Sequence, residues 1–182
     1  MVVWTEIDVE QIEAVAARQD RSKYNLNGGP LRFQVPRGMC TWGVSAYKSF
    51  QIDISNQKFM DWWRALERQL LPQVMDGGAP FNSNLKGATL RIKIDEATYI
   101  FDKESTQVSP EVREGLFRGQ ELSCLIDVES SYFYNGNWGL TVRAYQVKYY
   151  GEESGGEEPA SAAEPTQAWE KGSCAFLTES EQ

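Results

Sequence analysis

The 182-residue sequence predicts a mainly β protein: a barrel of about five to seven strands with one inserted amphipathic helix, a short N-terminal helix and an acidic tail. Three observations support this prediction. Several short segments alternate apolar and polar residues, the period of a strand with one buried face. One segment repeats apolar residues at three- and four-residue steps, the period of a helix. After Tyr150 the composition changes to Gly, Ser, Pro, Ala and Glu.

The N-terminal segment has the signals of a short helix docked on the barrel. Thr5–Asp8 has the form of a capping box. Apolar residues follow at helical spacing: Ile7, Ile12, Val15 and Ala16. We therefore divide the chain into an N-terminal helical segment (residues 1–24), a barrel domain (residues 25–150) and a disordered acidic C-terminal tail (residues 151–182).

The strands of the barrel domain are predicted from alternation. In residues 31–35, for example, Leu31, Phe33 and Val35 alternate with polar residues. Asn135-Gly136 suits a type I′ hairpin turn, and the slip in alternation between Ala144 and Val147 indicates a bulge. The predicted strands are residues 31–35, a bent stretch over 41–54, residues 90–94, 99–101 and 122–128, and a final hairpin of residues 132–134 and 138–150, with residues 108–119 as a connecting loop.

The inserted helix is predicted over residues 56–71. Ser55 or Asn56 can cap its start, and Pro72 is expected to end it. Its apolar stripe is more typical of core packing than of ligand contact. The stripe consists of Phe59, Trp62, Trp63, Leu66 and Leu70.

Composition excludes most catalytic and metal chemistry. The sequence has no histidine, and its three cysteines, Cys40, Cys124 and Cys174, lack metal or disulfide spacing, so we expect reduced thiols. No phosphate-binding loop or dinucleotide fingerprint is present. We therefore expect no enzyme activity, cofactor or metal. No apolar run reaches the roughly 20 residues that a membrane helix needs, and the first 20 residues are too acidic for a secretion signal, so we expect a soluble intracellular protein.

The net charge of −8 is concentrated in the tail. From residue 151 onward there are eight glutamates and one lysine, a net charge of −7 that leaves −1 for residues 1–150. The composition of residues 151–167 predicts disorder. Trp169, Phe176 and Leu177 stand among the acidic residues, and we expect them to contact partner proteins; a tail that only keeps the protein soluble is the alternative.

Aromatic and basic residues recur together on the polar positions of the strands. Rings stack on bases and cations contact phosphates, so this combination predicts a surface for single-stranded nucleic acid. Arg91 and Lys93 also fit an ordinary solvated face, and Trp138 also fits a packed barrel corner. The candidate binding residues are Arg32, Arg37, Trp42, Tyr47, Lys48, Arg91, Lys93, Tyr132, Tyr134, Trp138, Arg143 and Lys148.

A set of segments carries a resemblance to a known family: residues 31–35, 56–71, 84–86 leading into 90–94, 117–120, 122–128, 135–140 and 146–148. Through these segments the sequence resembles the single-stranded DNA-binding proteins of large double-stranded DNA viruses and some phages. The resemblance implies a non-catalytic OB-type barrel that coats DNA in replication or recombination. It also implies an acidic tail that touches partners or its own groove, and a DNA-facing set of Arg32, Arg91, Lys93, Trp138, Arg143 and Lys148.

Other functions stay open at the level of sequence. Exposed rings also stack on sugars, so a carbohydrate- or protein-binding β-sandwich is an alternative, as is a viral structural protein. The near-neutral charge of residues 1–150 is lower than a strong nucleic-acid binder needs. RNA as a ligand and a homo-oligomer are further open questions.

Overall fold

The structure is a computed structural model that describes residues 3–17, 23–74, 80–151 and 176, with the side chains of the helix described as far as Leu71. Two 3₁₀ turns span Trp4–Glu6 and Val9–Gln11, and the helix α1 spans Gln57–Val74. The strands are β1 Ala14–Ala16, β2 Lys23–Leu26, β3 Leu31–Gln34, β4 Gly38–Cys40, β5 Ser49–Asp53, β6 Phe81–Asn82, β7 Leu85–Lys86, β8 Thr89–Lys93, β9 Tyr99–Phe101, β10 Gln107–Val108, β11 Gln120–Tyr134 and β12 Asn137–Tyr149.

Five strands close into a barrel in the order β4, β5, β8, β12 and β11, with β11 returning to β4. The β8–β12 pair is parallel, whereas the other pairs around the barrel are antiparallel. The first barrel strand is in two pieces, because β3 and β4 both pair with β11. The break includes Pro36, which has no N–H to donate to a continuous ladder. The predicted mainly β barrel with one inserted helix is confirmed.

The barrel interior is built by the alternation that the sequence shows. Phe50 and Ile52 of β5 lie beside Ile92 and Leu90 of the neighbouring strand β8 on the inner face of the barrel, and all four are buried. Burial of these side chains removes apolar area from water, which supplies most of the stabilising free energy.

Two of the three cysteines lie in this interior. Cys40 and Cys124 are free thiols, and burial raises the pKa of Cys40 to about 11 and that of Cys124 well above its ordinary value. Neither thiol is therefore ionised at neutral pH, which makes both poor nucleophiles. Cys174 lies outside the described residues.

The long β11–β12 hairpin confirms two local predictions. Asn135 and Gly136 have φ angles of 47° and 76°, as a type I′ turn requires. The register shifts between Leu125 and Ile126 because Tyr145 on β12 is an extra residue, which is the predicted bulge. A second shift leaves Glu129 extra on β11. Bulges bend a strand, and here they let one hairpin both close the barrel and extend beyond it.

Helix α1 packs its apolar stripe into the core as predicted. The Phe59 N–H donates to Asn56 Oδ1 at 3.0 Å, which makes Asn56 the N-cap. Of the stripe, only Trp62 is half-buried, and it packs against Phe33 and Trp4. The helix continues to Val74, so the predicted end at Pro72 is wrong. A proline's fixed φ is helical, and near a helix end it removes one backbone hydrogen bond only.

The N-terminal segment docks on the core as expected, but it is not one helix. It forms two 3₁₀ turns, and Val15 and Ala16, expected on the helix, lie in β1. The β-branched residues of this stretch have low helix propensity. The Asp8 carboxylate accepts from the Glu10 N–H at 3.1 Å and so caps the second turn locally.

The predicted disordered tail, with Trp169 and Leu177, lies outside the described residues apart from Gly151 and Phe176. Within the part of the chain that the structure describes, no helix is both long and apolar enough to cross a membrane. No three His, Cys, Asp or Glu side chains of the same part converge to hold a metal ion.

Glu67 of α1 is a buried carboxylate that ties the helix to the chain before β7. It accepts from Trp63 Nε1 at 2.7 Å and from Ser83 Oγ at 2.7 Å. Burial raises the pKa of Glu67, although these hydrogen bonds partly oppose the shift. The protonated form is therefore favoured in the folded state more than in the unfolded state.

We predict that Glu67 makes stability depend on pH. Its contribution is fully present below its unfolded pKa of about 4.3 and is lost as the pH rises through the higher folded pKa. Urea unfolding of the wild type and Glu67→Gln from acid to neutral pH should show the wild type losing stability relative to the variant. Exposed Glu114→Gln is the control, and parallel curves for wild type and Glu67→Gln would contradict the prediction.

Candidate nucleic-acid interface

The outer face of β5 and β8 presents the polar residues of both strands. Gln51 lies opposite Arg91, and Ser49 lies opposite Lys93, in an antiparallel register. Because Phe50 and Ile92 point into the core, their neighbours must point outward. Arg143 of β12 pairs with Lys93, so three cationic side chains come from two adjacent strands of one face.

Arg91 and Lys93 are the uncompensated cations of this face. Among the described residues, neither has a carboxylate within ion-pair distance. The Lys93 Nζ lies 5.8 Å from the centroid of the Tyr132 ring, a cation–π distance. Both side chains are therefore available to a phosphate.

A loop of residues 41–48 joins β4 to β5 and carries two exposed rings. Trp42 is 73 % exposed and Tyr47 is 93 % exposed. The loop is nonetheless fixed, because the Val44 N–H donates to the Leu116 carbonyl and the Gly115 N–H donates to the Val44 carbonyl, both at 2.8 Å. The two rings thus stand in water on a backbone that is held in place.

The fixing segment is itself anchored in the core. Phe117 has a φ of 67°, an unfavourable value for a bulky residue, yet it is buried against Phe50 and Tyr149. Gly43 allows the loop to approach this segment closely, since a Cβ on it would lie 2.7 Å from the Gly115 carbonyl oxygen. The sequence pattern marks neither residue as part of a site, because both hold the backbone of the 41–48 loop and neither is an exposed ring or a cation.

The β11–β12 hairpin supplies the second set of rings. The Tyr132 ring lies across Gly139, where a Cβ would come within 3.0 Å of it. Tyr134 is 69 % exposed and Phe133 is 40 % exposed. Trp138, however, is buried and packs against Tyr24 and Phe133. Of the two interpretations of Trp138, a nucleic-acid contact or a packed barrel corner, its burial favours the packed corner. Its ring supports the hairpin and has no open face for a base.

The two sets of rings flank the β5–β8 face from opposite ends. Cys40, at the end of β4, pairs with Gln120, at the start of β11. The loop that follows β4 therefore lies at the end of the barrel where β11 begins. The tip of the β11–β12 hairpin lies at the far end of β11. An extended ligand that crossed the face would therefore meet rings on both sides.

Two more predicted cations near this face are neutralised by carboxylates. Arg143 Nη1 lies 2.6 Å from Asp95 Oδ2, and its Nε lies 3.1 Å from Glu129 Oε1. Lys48 pairs with Glu96, and the Lys48 hydrogen bond lowers the pKa of that carboxyl group. These cations would have to exchange partners before they could contact a phosphate.

The remaining predicted cations lie beside β11 and β12, and Arg32 is in one ladder row with Arg143, since Asp127 is opposite both. Arg32 pairs with Asp127 at 2.7 Å, and its guanidinium lies 3.4 Å from the centroid of the Tyr145 ring. Arg37 pairs with Glu121 at 2.6 Å and stacks on Tyr150. Lys148 donates to Ser105 Oγ at 2.7 Å and also lies beside Tyr150. Arg32, Arg143 and Lys93 therefore lie in one row across β3, β11, β12 and β8, and the sequence pattern does not mark the acids that pair with these cations.

This topology is that of the OB fold, a five-stranded barrel in which the third and fifth strands are parallel. OB folds bind oligonucleotides or oligosaccharides on the face of their second and third strands, between the loop after the first strand and the hairpin after the fourth. In this chain those strands are β5 and β8, the loop is residues 41–48 and the hairpin joins β11 to β12.

Comparison with solved structures gives the same fold. A C-terminally truncated single-stranded DNA-binding protein from bacteriophage Enc34 matches with a TM-score of 0.50 and 11 % identity, over 78 % of this chain and 97 % of that one. The untruncated phage protein matches with a TM-score of 0.48 and 12 % identity, over 85 % and 96 % of the two chains. Its complex with single-stranded DNA gives 0.46 and 10 %, over 81 % and 98 %.

The first of these matches confirms, at the level of the fold, the resemblance drawn from the sequence. No family model matches the sequence, and no curated protein does.

We predict that Gly43→Ala destabilises the protein more than Gly87→Ala. Both glycines have a positive φ, 75° and 62°, so each alanine incurs a backbone cost of roughly 1–2 kcal/mol. Only Gly43 also faces backbone atoms, whereas nothing lies within 4 Å of a Cβ at Gly87. Urea unfolding measures both losses, and equal losses would show that the loop contact does not constrain Gly43.

Proposed function

We propose that this chain binds single-stranded DNA without strong sequence preference and protects it during replication or recombination. Binding would occur through base stacking and phosphate contacts, without catalysis. The observation that carries the proposal is the placement of exposed rings at both ends of the β5–β8 face, whose Arg91 and Lys93 have no carboxylate partner among the described residues.

Stacking is the larger contribution in this proposal. Each stacked base contributes roughly 1–3 kcal/mol, and every base offers a flat face, so stacking does not select a sequence. Trp42, Tyr47 and Tyr134 are largely exposed, so the flat faces of their rings are open to a base. We propose that these rings, with Tyr132, receive the bases.

Phosphate contact is the smaller contribution. Arg91 and Lys93 lie two residues apart on β8, on the same side of the strand, and can follow one stretch of backbone. Most other cations of the predicted set are already paired with carboxylates. We therefore expect a salt dependence that is real but shallow.

The comparison with the phage protein supports the choice of ligand. That protein is a single-stranded DNA-binding protein, and it shares the fold of this chain at a TM-score of 0.50. OB folds also bind oligosaccharides through exposed rings, so an oligosaccharide belongs in the test as a competing ligand.

The acidic tail enters the proposal as a modulator. Its net charge of −7, tethered beside the barrel, would compete with DNA for the unpaired cations at low salt. It would also recruit replication or recombination proteins through Trp169, Phe176 and Leu177.

We predict that removing one exposed ring weakens binding to a mixed-sequence single-stranded oligonucleotide. Trp42→Ala and Tyr47→Ala should each lower the affinity about 5- to 150-fold, the equivalent of roughly 1–3 kcal/mol per lost stack. Fluorescence anisotropy of the labelled oligonucleotide measures the loss, with duplex of the same sequence and a neutral oligosaccharide as competitors.

The matched control for this series is Val15→Ala, which removes an exposed apolar side chain from the edge strand β1. It should leave the affinity unchanged. Displacement of the oligonucleotide by the oligosaccharide, or equal binding of duplex, would reject single-stranded DNA as the ligand.

We predict that Arg91→Ala and Lys93→Ala each make the salt dependence shallower. The slope of log K against log salt should fall by about 0.7 per lost phosphate contact. Arg68→Ala on the exposed side of α1 changes the net charge equally and is the control. A slope that changes as much in Arg68→Ala would mean that only the overall charge of the protein matters.

A further inference from the structure

A ring contact lies outside the barrel, where β9 pairs with β12. The rings of Phe101 and Phe176 have centroids 6.4 Å apart and planes inclined at 83°. This edge-to-face geometry is one that aromatic pairs prefer. Phe101 belongs to β9, whereas Phe176 is the one residue beyond Gly151 that the structure describes.

Phe101 occupies an outward position of its strand. Its neighbour Ile100 is part of the barrel core, so alternation turns Phe101 to the other face. Its partner across the ladder is Lys148 of β12, whose side chain is also outside the core. Phe101 is nonetheless only 1 % exposed, and it is buried without packing into the barrel core. A phenylalanine on the outside of a barrel is buried only if another segment covers it, and Phe176 is in contact with it.

The contact between Phe101 and Phe176 depends on the shape and apolar character of the rings more than on charge. The neighbours of Phe101 are of mixed sign, with Asp102, Lys103 and Glu104 following it and Lys148 opposite. Lys103 and Glu104 pair with each other at 3.8 Å. The apolar ring of Phe176 therefore provides the recognition, whereas the surrounding charges largely cancel.

The chain is long enough to bring Phe176 to this place from its own barrel. Residues 151 to 176 can span about 80 Å when extended, at roughly 3.3 Å or more per residue. Covalent attachment also gives such a segment an effective concentration of about millimolar, which makes a contact of modest intrinsic affinity persist.

We propose that the outer face at the β9–β12 junction is a docking site for the chain's own C-terminal segment, with Phe176 as the anchor and Phe101 as the surface that receives it. The site is distinct from the face proposed for DNA. Phe101 pairs at Lys148, five residues along β12 from Arg143, the partner of Lys93, which is roughly 16 Å at about 3.3 Å per residue. The inference does not depend on the proposed function.

The test uses the full-length chain with its anchor removed by Phe176→Ala, which leaves the site open. A fluorescently labelled peptide of residues 172–182 is titrated into this variant and into the wild type. The peptide should bind the variant. It should bind the wild type at least about tenfold more weakly, because the wild type's own segment occupies the site. The same peptide carrying Phe176→Ala should not bind either protein.

A second substitution locates the site. Adding Phe101→Leu to the Phe176→Ala chain keeps an apolar residue of similar size but removes the ring, and it should reduce peptide binding at least tenfold. Adding Phe133→Ala, which removes a partly exposed ring from the β11–β12 hairpin, is the matched control and should leave peptide binding unchanged.

Three results would overturn the proposal. The peptide could fail to bind the open variant up to millimolar concentration, or it could bind the wild type and the variant equally. Light scattering could also show that the wild type is a dimer and that Phe176→Ala is a monomer. In that last case the occupant of the site would be the C-terminal segment of a second copy.

Discussion

The pairing of β11 with β12 is the interaction on which the rest of the structure depends. It spans all of β12 and runs along β11 from Leu122 to Tyr134, and β11 also pairs with β2, β3 and β4. The two bulges, at Tyr145 and Glu129, let the pair bend. One part of it therefore closes the barrel through β8, while the other carries Tyr132 and Tyr134 beyond the barrel end. Stability and the candidate site rest on the same hydrogen-bonded ladder.

Rigidity of the site follows from packing beneath it. The exposed ring of Trp42 stands on backbone that is bonded to residues 115 and 116, and Phe117 holds that segment in the core in spite of its unfavourable φ. Tyr132 is placed similarly, because its ring lies on Gly139. Rings that are fixed before a base arrives lose less conformational entropy when they stack on it. In the proposed binding, the core would therefore contribute to affinity without touching the ligand.

The sequence predicts the barrel, its inserted helix, the hairpin turn and a bulge, because each depends on neighbours in the chain. It also places Arg91 and Lys93 correctly on an outer face, since alternation alone decides that. The local sequence pattern does not predict which distant residues pair with each other. Arg32 meets Asp127, 95 residues away, and nothing local marks that contact. The burial of Trp138 and the two 3₁₀ turns likewise depend on tertiary packing that overrides local pattern.

Residues 1–150 are nearly neutral in net charge and still present a cationic face. The same long-range pairing accounts for this combination. The acids Asp127, Glu121, Asp95 and Glu96 partner four of the predicted cations, and those pairs add little field at a distance. Arg91 and Lys93 remain as local charges on β8. Such a face would attract a polyanion only weakly over long range, so the proposed binding would depend on contact with the rings for most of its affinity. Low net charge is thus compatible with a stacking surface, although it argues against a binder that works by charge alone.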